Sequence, residues 1–220
     1  TATDVFNTVV GHEAGNAVTT GIQNTLIGGL AGDVLTDADY NVAVGVSALG
    51  ADTLGSQSTA IGYSALTNQN FTTATNSNNT AVGYQAGVNV TTGISNTLVG
   101  ALTGDALTDA DFNVAIGLGS LGADTRGSKS VAVGTAALQA QNFTTATDSH
   151  NTAVGHNAGN DVTTGVQNTL IGSLAGDHIT TANNNVALGY EALTANTTSA
   201  NNIAIGPFAL NAFNITTGGD

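Results

Sequence analysis

Residues 79–87 read NTAVGYQAG, and variants of this phrase return along the chain as NTVVGHEAG, NTLIGGLAG, NVAVGVSAL, STAIGYSAL, NTLVGALTG and NTAVGHNAG. Aligned on the pentad Asn/Ser-x-x-Val/Ile/Leu-Gly, the phrase begins at Asn7, Asn24, Asn41, Ser58, Asn79, Asn96, Asn113, Ser130, Asn151, Asn168, Asn185 and Asn202. The steps run 17, 17, 17 and 21 residues, and the whole pattern recurs every 72 residues, from Asn7 to Asn79 to Asn151. Twelve occurrences of one phrase at eleven regular steps mark a repeat architecture, so the repeat is read before any single motif.

The spacing selects the unit. Helical repeats would place apolar residues three and four apart, whereas here they sit in short β-branched runs that end in Gly. At ~3.3 Å per extended residue, a 17-residue step traces a loop of only ~56 Å, enough for two or three short strands around a thin interior. The reading is all-β: a single repeat domain over 1–220, a parallel β-solenoid of twelve 17- or 21-residue coils, probing to about 55 Å at ~4.8 Å per coil. Ala recurs seven residues after most coil starts, at Ala14, Ala31, Ala48, Ala65, Ala86, Ala137, Ala158, Ala175, Ala192 and Ala209, as a narrow interior requires. The glycines closing each pentad (Gly11, Gly28, Gly45, Gly62, Gly83, Gly100, Gly117, Gly134, Gly155, Gly172, Gly189 and Gly206) are expected at a corner needing positive φ or close backbone approach. The asparagines opening the coils (Asn7, Asn24, Asn41, Asn79, Asn96, Asn113, Asn151, Asn168, Asn185 and Asn202) are expected to stack into a ladder whose side-chain amides bond to the coils above and below.

Composition removes several functions. Two cations (Arg126 and Lys129) stand against 15 acids, for a net charge of −13. Nucleic-acid binding needs cations to displace phosphate counterions, and docking on anionic membranes needs the same. The chain has no Cys, hence no disulfide or thiolate metal site, and no apolar run approaches the ~18 residues of a membrane span. Beginning with Thr in mid-pattern and containing no Met, it reads as a piece of a longer fibre.

Strands such as Thr80-Ala81-Val82, Thr25-Leu26-Ile27, Val114-Ala115-Ile116 and Ile203-Ala204-Ile205 are apolar or β-branched on both faces. One face can line the coil; the other needs a partner, because a strand open to water alternates apolar with polar. Three copies around an axis supply that partner, so a homotrimer is expected.

The phrase Asn-Thr-x-Val-Gly-x-x-Ala resembles the head repeats of YadA-like trimeric autotransporter adhesins. The longer NTAVGYQAGVNVTTGISNTLVG and NNIAIGPFAL resemble related repeats in phage tail fibres and bacterial surface fibres. The resemblance covers Asn7 to Leu210 and implies a left-handed, trimerising β-roll on a virion or cell surface, with attachment to a host receptor or glycan. The coils here are longer than is usual in adhesin heads, so the outer loops differ.

Candidate chemistry is sparse. Asp33, Asp37 and Asp39 recur as Asp105, Asp109 and Asp111, and oxygens at alternate positions suit calcium. The third copy keeps only Asp177, so solvated turns are expected and no cofactor. The histidines are His12, His150, His156 and His178; His12 and His156 share their repeat position with Tyr84, which speaks against a metal or catalytic role, and His150 and His156 are too scattered from any carboxylate pair to suggest a triad or a zinc site. Thr19-Thr20-Gly21, Thr91-Thr92-Gly93 and Thr163-Thr164-Gly165 recur once per 72 residues, which predicts no continuous threonine ladder. The four-residue insertions carry Phe71 and Phe143, either as exposed recognition loops or as plugs tucked over the coil. Asn-x-Thr triplets begin at Asn70, Asn78, Asn89, Asn142, Asn196 and Asn214, and Pro207, Phe208 and Phe213 break the pattern towards an end cap or neck. The function expected is a non-enzymatic structural or adhesive rod. The alternative is an ice- or glycan-binding solenoid, and a β-helical lyase-type enzyme lacks the bases it would need.

Overall fold

The computed structural model describes residues 5–212. It is all-β, with no helix among the described residues, and forms a parallel β-solenoid of about twelve coils. The chain divides into two compact units, residues 1–111 and 112–220. In the first, β1 (Thr8–Val10), β2 (Thr25–Ile27), β3 (Val42–Val44), β5 (Thr59–Ile61), β7 (Thr80–Val82) and β8 (Thr97–Val99) stack in parallel, and β4 (Gly55–Ser56) pairs with β6 (Thr75–Asn76). In the second, β9 (Val114–Ile116), β11 (Val131–Val133), β13 (Thr152–Val154), β14 (Thr169–Ile171), β15 (Val186–Leu188) and β16 (Ile203–Ile205) stack the same way, and β10 (Gly127–Ser128) pairs with β12 (Thr147–Asp148). Each three-residue strand is one pentad's interior, and within each unit it pairs with the same residues of the next repeat: Thr8 with Thr25, Thr59 with Thr80, Val131 with Thr152.

The middle residue of each three-residue strand points inward. Leu26, Ala43, Ala60, Ala81 and Leu98 in the first unit, and Ala115, Ala132, Ala153, Leu170 and Ala187 in the second, are fully buried. Nine of the ten recurrent alanines are buried as well, and Ala209 is half-buried.

The thin interior is filled by a size exchange. Coils with Leu at the strand centre (Leu26, Leu98, Leu170) carry Gly32, Gly104 and Gly176 six residues later; most coils with Ala there carry a fully buried Leu, as at Leu49, Leu66, Leu121, Leu138 and Leu193. A Cβ on Gly32 would lie 2.7 Å from Leu35 and 2.9 Å from Leu26, and one on Gly87 would lie 2.7 Å from Leu98. The pair conserves volume, as a close-packed interior demands. These positions are also left-handed: Leu49 has φ 55° and Leu66 φ 50°, like Gly32 at 53° and Gly87 at 58°. A non-glycine residue there costs roughly 1–2 kcal/mol, which full burial of a leucine, about 1.5–3 kcal/mol, offsets.

The corner after each strand is harsher. Gly83 has φ 144°, and a Cβ on it would sit 2.3 Å from the Gly100 carbonyl oxygen. Both a positive φ and a backbone one coil away therefore exclude a side chain. Gly29, one residue past a corner, would meet nothing nearer than the His12 carbonyl at 3.9 Å. Gly83→Ala should lower the unfolding free energy by about 3 kcal/mol or more, and Gly29→Ala should change it by less than about 0.5 kcal/mol. Thermal unfolding followed by circular dichroism measures both, and an equal effect from the two would contradict the corner geometry.

Candidate functional site

Within each unit the asparagines that open the coils are buried, Asn7 and Asn202 partly, and their side chains bond to neighbouring coils. The Asn24 side chain donates through Nδ2 to the Ala38 carbonyl at 2.7 Å, and its Oδ1 accepts the backbone N–H of Asn41 at 2.9 Å. Asn7, Asn41, Asn79, Asn113, Asn151 and Asn168 repeat this arrangement, with Nδ2 bonds to the carbonyls of Gly21, Gly55, Gly93, Gly127, Gly165 and Ala182. Asn96 donates to the Ala110 carbonyl at 2.8 Å. Asn185 receives the Asn202 N–H at 3.0 Å, and Asn202 donates to the Ser199 carbonyl at 2.9 Å. Amide-to-amide contacts are the lesser part, at 3.3 Å for Asn96 to Asn79 and 2.9 Å for Asn202 to Asn185. The side chain thus bonds the end of its own coil and the start of the next. A carboxylate could not donate, and a serine is too short to reach both.

Serine does open two coils, and there a second network takes over. Asp52, fully buried, accepts the backbone N–H groups of Gly55 and Phe71 on Oδ1, both at 3.0 Å, and the Gln69 amide on Oδ2 at 2.6 Å. Gln69 also donates to Ser58 at 2.9 Å and accepts from Asn79 at 2.8 Å; Ser58 bonds Ser77, which donates to the Ser56 carbonyl at 2.9 Å. The same set recurs 72 residues on as Asp124, Gln141, Ser130, Ser149 and Asn151. Gln69 and Ser77 fill the space that an asparagine at position 58 would bridge, and so accommodate the longer coil. Sequence reading missed these residues, although Asp52 and Gln69 occupy the register of Leu35 and Val90 and break an apolar column.

Phe71 and Phe143 are 6% exposed, which corrects the recognition-loop alternative. Each ring covers its coil beside Gly55 or Gly127, where an added Cβ would lie 2.8 Å from it. The residues that face solvent in these insertions are Thr72, Thr73 and Ala74, and Thr144, Thr145 and Ala146.

The aspartate clusters do not converge. Asp39 accepts the Ile22 N–H at 2.8 Å, Asp37 the Thr20 hydroxyl at 2.6 Å, and Asp111 the Ile94 N–H at 2.8 Å. Asp109 accepts the Thr108 hydroxyl at 3.2 Å. Asp33 and Asp105 are half-buried on the same coils. Among the described residues no group of three or more His, Cys, Asp or Glu is placed to hold a metal ion. His12 and His156 are exposed; Tyr84, at their repeat position, stacks on Tyr63 with ring centroids 5.5 Å apart. His150 is exposed, and His178 lies 3.2 Å from Asp177 and 3.9 Å from Asp161.

A threonine ladder forms only in short runs of coils and is interrupted at Asn70 and Asn142, so it is not continuous, as the threonine pairs predicted. It uses one threonine per coil: the Thr19 hydroxyl donates to the Thr36 carbonyl at 3.2 Å, Thr36 to Thr53 at 3.1 Å, Thr91 to Thr108 at 3.1 Å, Thr163 to Thr180 at 3.1 Å and Thr180 to Thr197 at 2.9 Å. The 17-residue spacing of Thr19, Thr36 and Thr53 carried the signal for these runs. These hydroxyls are spent on coil-to-coil bonding. Of the Asn-x-Thr triplets, Asn70, Asn78, Asn89 and Asn142 are exposed and Asn196 is buried, while Asn214 and Phe213 lie outside the described residues.

The outer faces of the main sheets carry half-buried to exposed apolar and β-branched side chains. The first and third residues of every three-residue strand are Thr, Val, Ile or Leu, and they stay half-buried to exposed, with Ile27 at 37% and Leu188 at 44%. Comparison with family models, with characterised proteins and with solved structures finds no match to this chain.

Burial raises the carboxyls of Asp52, Asp105 and Asp177 above the ordinary carboxylate value. For Asp52 the bonds from Gln69, Phe71 and Gly55 pull the other way without cancelling the desolvation. A raised folded value means that the native chain holds its proton more tightly than the unfolded one. Stability therefore rises as pH falls from neutral through the folded values, and the gain is complete below the unfolded one. Urea unfolding should show a more stable chain at pH 5 than at pH 7, and Asp52→Asn should reduce that difference; a chain that weakens between pH 7 and pH 5 would contradict the assignment.

Proposed function

We propose that the chain is a non-enzymatic segment of a structural or adhesive fibre, a homotrimeric, left-handed β-roll of 17- and 21-residue coils on a virion or cell surface. In this reading it holds loops or a distal tip out for attachment to a receptor or glycan. The observation that carries it is the outer strand face. It offers 24 uncharged positions over the twelve strands, within the roughly 20–30 residues per side of a standard interface. No carboxylate lies on it, so it is where copies of a chain of charge −13 can approach without meeting like charge. The buried polar side chains serve coil-to-coil bonding, which suits a rod whose strength is a sum of neighbour interfaces.

A second reading, an ice- or glycan-binding solenoid, draws on the half-exposed threonines Thr25, Thr59, Thr80 and Thr97 of the same face. Sedimentation equilibrium separates the two. A particle of three chain masses that persists in detergent and on heating is expected. A monomer would overturn the trimeric fibre, and a monomer showing thermal hysteresis or glycan-array binding would establish the second reading.

A further inference from the structure

A stack of near-identical coils has a registry problem. If copies associate through the outer strand face, sliding one copy by a single coil replaces each contact with an almost equivalent one and forfeits only the terminal level. Apolar ladders alone do not forbid this, because methyl groups are indifferent to which methyl they meet.

The first strand position is not uniform. In the first unit it reads Thr8, Thr25, Val42, Thr59, Thr80, Thr97, and in the second Val114, Val131, Thr152, Thr169, Val186, Ile203. Strand pairing sets these residues level by level up each sheet. The hydroxyls of Thr25, Thr59, Thr80, Thr97, Thr152 and Thr169 make no hydrogen bond within the described residues, unlike the corner threonines, whose hydroxyls bond the next coil. They are not sealed from water in the single chain either. Covered by another copy, each needs a partner, since a buried unpaired hydroxyl is costly.

We propose that these threonines fix the axial register of the assembly. At each threonine level the hydroxyls of three copies close a ring, each donating to the next, and at each valine or isoleucine level the copies meet through methyls. This rests on the three-copy reading above. The partner is a further copy of this chain because a hydroxyl meets a hydroxyl at every such level only when identical chains are related by rotation without translation. A slip of one coil sets Thr25 against Val42 and Val42 against Thr59 in the first unit, and Val131 against Thr152 and Thr169 against Val186 in the second. Each such level strands hydroxyls among methyls.

The chain has no cysteine, so single reporters are unambiguous. Val44→Cys and Ile61→Cys lie on neighbouring strands at the third position. Mixed in the 220-residue chain and oxidised to direct disulfides, which need Cβ atoms about 3.5–4.5 Å apart, they report same-level links (44 to 44, 61 to 61) and one-coil slips (44 to 61). Same-level links should exceed slipped ones at least about tenfold. Replacing Thr25, Thr59, Thr80, Thr97, Thr152 and Thr169 by valine should keep the trimer and bring the ratio towards one, while replacing the same six by serine should keep it high. A trimer with equal links in the natural sequence, or a valine variant that keeps the tenfold preference, would overturn the register proposal and leave the trimer standing. A monomer in solution would overturn the three-copy reading and this proposal together.

Discussion

A solenoid coil closes only if the carbonyl at its end and the amide that starts the next coil are both bonded, and here one side chain serves both. The asparagine at the head of the coil donates to the first and accepts from the second, as Asn24 does between Ala38 and Asn41. Because these groups are buried, leaving either unmet would cost about 1–3 kcal/mol. The bond also fixes coil length, since the donor and acceptor lie 14 and 17 residues away. Lengthening a coil therefore requires different chemistry, and the chain supplies it as serine with the Asp52–Gln69–Ser77 set.

The close stacking that this spine enforces then dictates the other choices. Backbones at coil spacing leave no room for a Cβ at the corner, hence glycine at every pentad end. The interior does not hold a leucine at both the strand centre and the left-handed site six residues on, so a coil with Leu26, Leu98 or Leu170 carries glycine at the second site. A leucine in that conformation would be a poor local choice in an isolated peptide. Here the surrounding coils over-determine it, and burial outweighs the local strain.

Much of this was legible in the sequence, for a definite reason. Whatever recurs at one coil position shows as a column: the asparagines, the corner glycines and the apolar strand centres each declare their role by repetition. Repetition places the asparagine ladder but leaves its bond directions open: Oδ1 of Asn24 accepts the backbone N–H of Asn41, and amide-to-amide bonds join it between Asn96 and Asn79 and between Asn202 and Asn185. Phe71 was ambiguous because an insertion breaks the column, and no period says whether its ring faces water or the coil. Asp37 and Asp39 cluster in the sequence yet bond neighbouring coils at the surface, whereas Asp52, whose only signal is that it and Gln69 interrupt an apolar column, is the buried one.

That contrast bears on where specificity can reside. A perfectly repeated chain is stable but indifferent to register, since every level offers the same surface. The departures from repetition fall into two kinds. Buried ones, such as Ser58 with Gln69 and Ser77, are answered inside the same chain and complete its hydrogen bonding. Outer ones, such as Val42 between Thr25 and Thr59, have no answer within the chain, because their neighbours on the strand face do not need them to differ. An irregularity that the fold does not require is where a requirement from outside the fold can be written. In this molecule the irregularities on the outer strand face are of that kind: a choice between hydroxyl and methyl at constant shape, which changes what a level can bond to without changing how the coil packs.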